Sequence, residues 1–176
     1  ARTIVCPFPY HLPSSLHLTI RTALSPVSMS GALANLKAET DGMTFEQIQK
    51  QTVAQWEQEL DNIRIEGTDD QKALFYTSLY HTMINPSVYM DTDGSYRGND
   101  MEIHHADGFT NYTVFSLWDT YRAEHPLLSL FHPQRNKDMA QSMIHIQQQS
   151  PLGVLPMWYL MANEGWCMSG YHATSV

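Results

Sequence analysis

Residues 113–131, TVFSLWDTYRAEHPLLSLF, bring an aromatic, a carboxylate and a guanidinium together within a few positions. Trp118 offers a flat apolar face suited to the C–H face of a sugar ring. Asp119 can accept two hydroxyl hydrogens at once, and charge-assisted hydrogen bonds are roughly twice as strong as neutral ones. Arg122 falls on the same face of a helix as Asp119 and is spaced to pair with it. The competing reading is structural: Trp118 as core, Asp119 as a cap partner of Ser116. A second segment, MANEGWCMSGYH at 161–172, sets Asn163 and Glu164 between apolar flanks in a glycine-bounded loop. Loops of that kind often line pockets; the alternative is that Glu164 is a solvated loop charge. A third cluster, His104-His105 with Glu102 and Asp107, raises metal chemistry. Adjacent histidines point apart on a strand, however, and no ordered ligand spacing follows. His81, His125, His132 and His145 fall at helix positions and read as core or capping histidines. No nucleophile elbow, HExxH, phosphate loop, GxGxxG or CxxC occurs.

The elements that must position these groups follow from periodicity and punctuation. Residues 16–24, LHLTIRTAL, alternate apolar and polar, which predicts a half-buried strand. It has no sequence-adjacent partner, and an isolated strand is not stable. Ser28 or Ser30 can cap a short helix from about Gly31 to Glu39. Thr44 with Gln47 forms a capping box before a longer helix. On that helix Phe45, Ile48, Thr52, Trp56, Leu60 and Ile63 make one largely apolar stripe. Ile63-Arg64-Ile65 reads as a short extended exit. Thr68 with Gln71 forms a second capping box before a helix to about Ile84. That helix is apolar on several faces, as expected of one buried between others. Asn85-Pro86 ends it. Asp93-Gly94 predicts a hairpin turn between SVYMDT and SYRG. Ser116 with Asp119 opens the next helical region, which Pro126 breaks or kinks. Asn136 to Gln149 predicts a helix with Met139, Met143 and Ile146 inward. Residues 154–176 suggest a short strand, a loop around Asn163-Glu164-Gly165 and the start of another helix.

With 176 residues the chain is long enough for one domain with a sizeable core. A net charge of -8 argues against nucleic acid as partner, since such binders cluster cations. Nothing approaches the ~20 apolar residues of a membrane span, and ARTIVCPFPYHLPSS lacks the apolar core of a signal peptide. Cys6 and Cys167 fix neither a disulfide framework nor a metal site. Asn111-Tyr112-Thr113 fits the glycosylation triplet.

Across residues 30–176 the chain resembles glycoside hydrolase family 92, the exo-acting calcium-dependent α-mannosidases. The resemblance lies in ANLKAE, WEQELDNIRIEG, ALFYTSLYHTMINPSVYMDTDGSYRG, YTVFSLWDTYRAEHPLLSLFHPQR, LPMWYL and NEGWCMSGYH. The chain departs from the family pattern at Gly165-Trp166, where the family has Thr-Asp. The resemblance implies a mostly α fold made of three parts. Residues 1–25 would end an N-terminal β-sandwich, residues 26–66 would be linker helices, and residues 67–176 would begin an incomplete (α/α)6 barrel. It implies removal of terminal mannose from α-mannosides or N-glycans with inversion, by a secreted, periplasmic or cell-surface bacterial enzyme. Trp118 and Asp119 would hold hydroxyls of the terminal mannose, with Arg122 beside them and Asn163 and Glu164 near the pocket floor. Catalytic acid, base and most Ca2+ ligands would lie beyond Val176. The rival from another class is a carbohydrate-binding module without chemistry, which a chain ending near Val176 would favour. A purely structural helical domain is the other.

Overall fold

The computed structural model describes residues 9, 19–168 and 170–176. The sequence-predicted strand at 16–24 begins outside the described residues. Over 19–24 the chain is irregular, so no strand forms there. The physical reason is the one the alternation could not override: no described strand lies alongside to pair with it.

Helix α1 spans Met29–Thr40, starting earlier than predicted because Ser28, not Ser30, caps it through a hydrogen bond from Gly31 N. Helix α2 spans Phe45–Leu60 and α3 spans Asp69–His81. Both open on complete capping boxes, Thr44 with Gln47 and Thr68 with Gln71. Residues 64–66 after α2 carry no regular structure. The two helices lean together through Trp56 and Tyr80, whose rings meet edge-on at 4.6 Å, and through the Tyr76 hydroxyl donating to the Ile63 carbonyl. The expectation that α3 is buried between other helices is not met among the described residues. Leu79 is buried, but Leu74 is 72% exposed, because no described element packs on that face.

Seven short strands follow, arranged in three small antiparallel sheets. β1 (Ser87–Val88) pairs with β4 (Tyr112–Thr113), and β2 (Ser95–Arg97) pairs with β3 (Ile103–His105). β5 (Phe115–Ser116), β6 (Trp158–Leu160) and β7 (Asn163–Glu164) form the third sheet in that order. Gly94 does turn the chain, with Gly94 N donating to Asp91 O and φ +88°. Its regular strand partner is nonetheless Ile103–His105 rather than residues 87–92. Between β3 and α6 lie a one-turn helix α4 (Leu117–Thr120) and α5 (Glu124–Phe131). Pro126 therefore sits in the first turn of a restarted helix, where its missing N–H costs nothing. Helix α6 runs Pro133–Gln149, three residues earlier than predicted, with Pro133 in its first turn.

The core gathers around α6. Tyr112, Phe115, Leu117, Leu128, Met139, Met143, Ile146 and Tyr159 form one buried cluster, including the three α6 residues expected to face inward. Asn111 is buried too, with its amide donating to the Tyr89 carbonyl. Its side chain is therefore engaged in the fold and is no glycosylation acceptor. The chain is mostly helical with small sheets, and its described helices do not close a barrel.

Candidate functional site

Three hydrogen bonds fix the segment that leads to Trp118. Ser142 of α6 accepts the Tyr112 N–H at 3.0 Å, and Asp138 accepts the Thr110 N–H at 3.2 Å. Thr113 then accepts the Met161 N–H on its hydroxyl at 2.6 Å. Val114 follows with φ +65°, a left-handed conformation that a β-branched residue adopts only under constraint. That single kink moves the chain from pairing with β1 to pairing with β6.

The third sheet carries both sequence-predicted segments. Phe115, Tyr159 and Glu164 lie in one register row across it, and all three are buried. Side chains alternate faces along a strand, so Asn163, beside Glu164, is exposed and pairs in register with Leu160. Asn163 and Glu164 thus do not act as a pair. Glu164 is not a solvated charge: Oε1 accepts the N–H groups of Trp158 and Trp166, and Oε2 accepts that of Met157. Its carboxylate shapes the 157–166 turn. Gly165 sits within that turn, donating to the Trp158 carbonyl at 2.9 Å. A Cβ at 165 would lie 3.0 Å from that same carbonyl oxygen, tighter than ordinary contact. The β5 and β7 edges are separated by β6, so the two segments stand about 10 Å apart at ordinary strand spacing.

Trp118 is 39% exposed, so its indole is not core within this chain. Asp119 is exposed and accepts the Ser116 hydroxyl on Oδ2 at 2.6 Å. Oδ1 and the remaining lone pairs stay open to hydroxyl donors. The predicted Asp119–Arg122 pair does not form. Helix α4 ends at Thr120, so Arg122 lies past the helical turn that would have brought it alongside Asp119. Arg122 instead places its guanidinium 5.4 Å from the Tyr121 ring centroid. His172, from the final 3-10 turn at His172–Ser175, stacks on Tyr121 at 4.2 Å and meets Trp118 edge-on at 5.4 Å. The exposed indole therefore stands in an aromatic group, followed in sequence by a carboxylate with free lone pairs, side-chain types able to contact the apolar face and the hydroxyls of a sugar ring.

Two residues escaped the sequence reading. His172 comes from a distant segment, and nothing local couples it to Trp118. Glu124, at the start of α5, has a buried Oε1 with no hydrogen-bond partner among the described residues. Burial alone pushes its carboxyl up to about 7. The signal available was weak: an acid two residues before a proline.

The histidine pair does split, as strand alternation requires. His104 Nε2 meets the Asp100 carboxylate at 2.9 Å, and His105 Nδ1 meets Asp107 at 2.8 Å. Among the scattered histidines, His125 is buried against Asn136 and His145 stacks on Phe109, while His132 joins α5 to α6. No three His, Cys, Asp or Glu side chains among the described residues come together to hold a metal ion. Glu164 has both oxygens engaged by backbone N–H groups.

Fold and site together describe a mostly helical region with an exposed aromatic group and a carboxylate open to hydroxyl donors. The glycosyl hydrolase family 92 catalytic domain matches residues 31–176, and the chain belongs to that family. It is similar to the family GH92 α-mannosidase BT3965 of Bacteroides thetaiotaomicron, at 47% identity and TM-score 0.83, over 85% of this chain and 20% of that one. The same protein has been solved in complex with mannoimidazole. The inverting family GH92 mannosidase BT2199 of Bacteroides thetaiotaomicron VPI-5482 is similar at 30% identity and TM-score 0.78, over 85% and 20%. The chain spans about one fifth of the length of these solved structures. No curated protein matches it. No described helix is long and apolar enough to cross a membrane.

Proposed function

We propose that the complete protein carrying this chain is a calcium-dependent α-mannosidase that removes terminal mannose from α-mannosides or N-glycans with inversion. In this reading, residues 67–176 open an (α/α)6 barrel and residues 26–66 are linker helices. The observation that carries it is the exposed Trp118 indole beside the open Asp119 carboxylate, within a chain of family 92. Trp118 packs on the C–H face of the terminal mannose, and Asp119 accepts two of its hydroxyls. Ser116 turns the Asp119 carboxylate by holding Oδ2, and the His172–Tyr121 stack sets the tilt of the indole. Asn163 is the exposed amide of the second segment, and Glu164 contributes by holding its turn. Inversion needs two carboxyl groups about 6.5–9.5 Å apart with a water between them. We assign that pair, and the calcium ligands, to residues outside this chain.

The test is hydrolysis of an aryl α-mannoside by the complete protein, with and without a calcium chelator. Turnover that the chelator abolishes is expected; no turnover, or turnover indifferent to calcium, overturns the proposal. Asp119→Ala should weaken binding of a mannose-mimicking inhibitor at least tenfold while leaving the thermal midpoint within a degree or two. An unchanged affinity would remove Asp119 from the site and favour a structural role.

A further inference from the structure

Thr113 belongs to two sheets at once. Its backbone pairs with Ser87 of β1, in the first sheet. Its side chain serves the third. There Phe115 faces Tyr159 and Ser116 faces Trp158. Carried two residues further, that register sets Thr113 opposite Met161. The backbone ladder does not reach that far, because Val114, at φ +65°, turns the chain away toward β1. The Thr113 hydroxyl takes over from the backbone and accepts the Met161 N–H at 2.6 Å. Thr113 is 3% exposed. Burial achieved within this chain persists when more protein is added around it, so the contact depends on no open surface.

The donor of this bond is itself constrained. Met161 has φ +53°, and it opens the two-residue turn between Leu160 and Asn163. Positive φ at the first place of such a turn is ordinarily left to glycine. Two non-glycine residues in the left-handed region thus flank one hydrogen bond: Val114 beside its acceptor, and Met161 as its donor. Such conformations persist only where the surroundings over-determine them, and they cluster at functional sites. From Val114 the chain runs through β5 into Trp118 and Asp119. From Met161 it runs to Asn163, two residues on. Between the two segments lies β6.

We propose that Thr113 is a positioning residue of the sugar site: its hydroxyl ties the 161–162 turn to the strand entering Trp118–Asp119, and so sets where Asn163 stands relative to them. This rests on the function proposed above, which gives Trp118, Asp119 and Asn163 one ligand to share. Thr113 touches no sugar. It acts through the turn, and binding groups lose their grip when their supports let them shift by a fraction of an ångström.

The test is steady-state hydrolysis of p-nitrophenyl α-D-mannopyranoside by the complete protein. Thr113→Val keeps the shape of the side chain and removes the acceptor. It should raise KM about tenfold, by misplacing binding groups, with kcat near the wild-type value. A merely structural role gives the opposite split: less folded enzyme lowers the apparent kcat and leaves KM alone. KM reads the folded fraction only, so a reduced yield does not spoil the measurement. Thr113→Ser should restore the wild-type KM. Thr113→Ala gives water room to reach the Met161 N–H, so it should raise KM less, about threefold; it serves if the valine variant does not fold. Asn163→Ala should also raise KM, and adding Thr113→Val to it should change KM little further, because both act through one turn. An unchanged KM in the valine and alanine variants overturns the inference. So does a serine variant as impaired as the valine one, or KM effects of Thr113→Val and Asn163→Ala that multiply. If the wild-type protein turns over no mannoside, the proposed function falls and this inference with it. If the wild type is active and KM ignores Thr113, this inference alone falls.

Discussion

The α6 region and the α1–α2 arm hold together by different means. Around α6, eight apolar side chains from six elements bury one another, and Phe115 and Leu117 are wholly inaccessible. In the arm, α2 buries no residue at all, and the buried residue of α1 is polar, Asn35. That amide donates to the Asp91 carboxylate at 2.8 Å and to the Leu24 carbonyl, while its oxygen takes the Thr92 N–H. Ser25 donates to the other Asp91 oxygen at 2.7 Å. Gly31 lets the helix come this close, since a Cβ there would overlap Asp91. One region is stabilised by area removed from water, the other by a small buried polar hub and two helix caps. The candidate sugar grip sits on the first. This suits its task, because a binding group must be held to a fraction of an ångström by rigid neighbours.

The largest expected effect separates two phenylalanines. Phe115→Ala should destabilise by about 3–5 kcal/mol, as for large core truncations, while Phe45→Ala on the exposed face of α2 should stay within about 0.5 kcal/mol. Denaturant midpoints of the two variants check this, and equal losses would erase the distinction between the regions. Next comes the polar hub. Asn35→Ala leaves Asp91 Oδ1 and the Thr92 N–H without a partner, at about 2–3 kcal/mol. Because the hub touches α1 and not α6, amide exchange should accelerate over residues 29–40 with little change over 139–146. Uniform acceleration would mean that the two regions unfold as one.

A pH dependence tests the α6 side. Glu124 titrates near 7 in the fold against an ordinary 4.5, so the folded state favours the protonated carboxyl. Between those values the folded state binds more protons than the unfolded one. Stability therefore falls as pH rises from about 4.5 to 7 and levels off above. Glu124→Gln should flatten that slope and raise stability at pH 8 by about 2 kcal/mol, a figure discounted for the partial exposure of the group. A wild-type midpoint independent of pH in this window would contradict the burial of Glu124.

Local chemistry was the legible part of this molecule. Both capping boxes, the inward face of α6 and the parting of His104 from His105 depend on residues within one or two turns of each other, and each could be read directly. What failed depended on distance in sequence. Glu164 reads locally as a pocket-lining carboxylate or, alternatively, a solvated loop charge, because nothing local reveals that β7 lies in register with Tyr159 and Phe115. The Asp119–Arg122 pair assumed a helix longer than one turn, and the strand at 16–24 assumed a partner. The burial expected of α3 required neighbours that the described residues do not provide. Trp118 and Asp119 stand out by residue type, whereas the His172 contact and the Val114 kink beside them come from tertiary structure alone.

The smallest effect probes the arm by its caps. Thr44→Ala removes the hydroxyl that accepts the Gln47 N–H, and it keeps the backbone N–H at 44 that donates to the Gln47 side chain. Loss of such a cap costs about 1 kcal/mol. In a helix packed into a core, a frayed first turn is held by its neighbours. Helix α2 has no buried residue to hold it, so the loss should appear as local opening: faster exchange at residues 45–48 and earlier proteolysis near Asp41-Gly42, with the global midpoint nearly unmoved. Thr44→Ser, which keeps the acceptor, should restore protection. If Thr44→Ala instead lowers the global midpoint by the full amount, α2 is coupled to the core as tightly as α6, and the arm is not a separately stabilised unit.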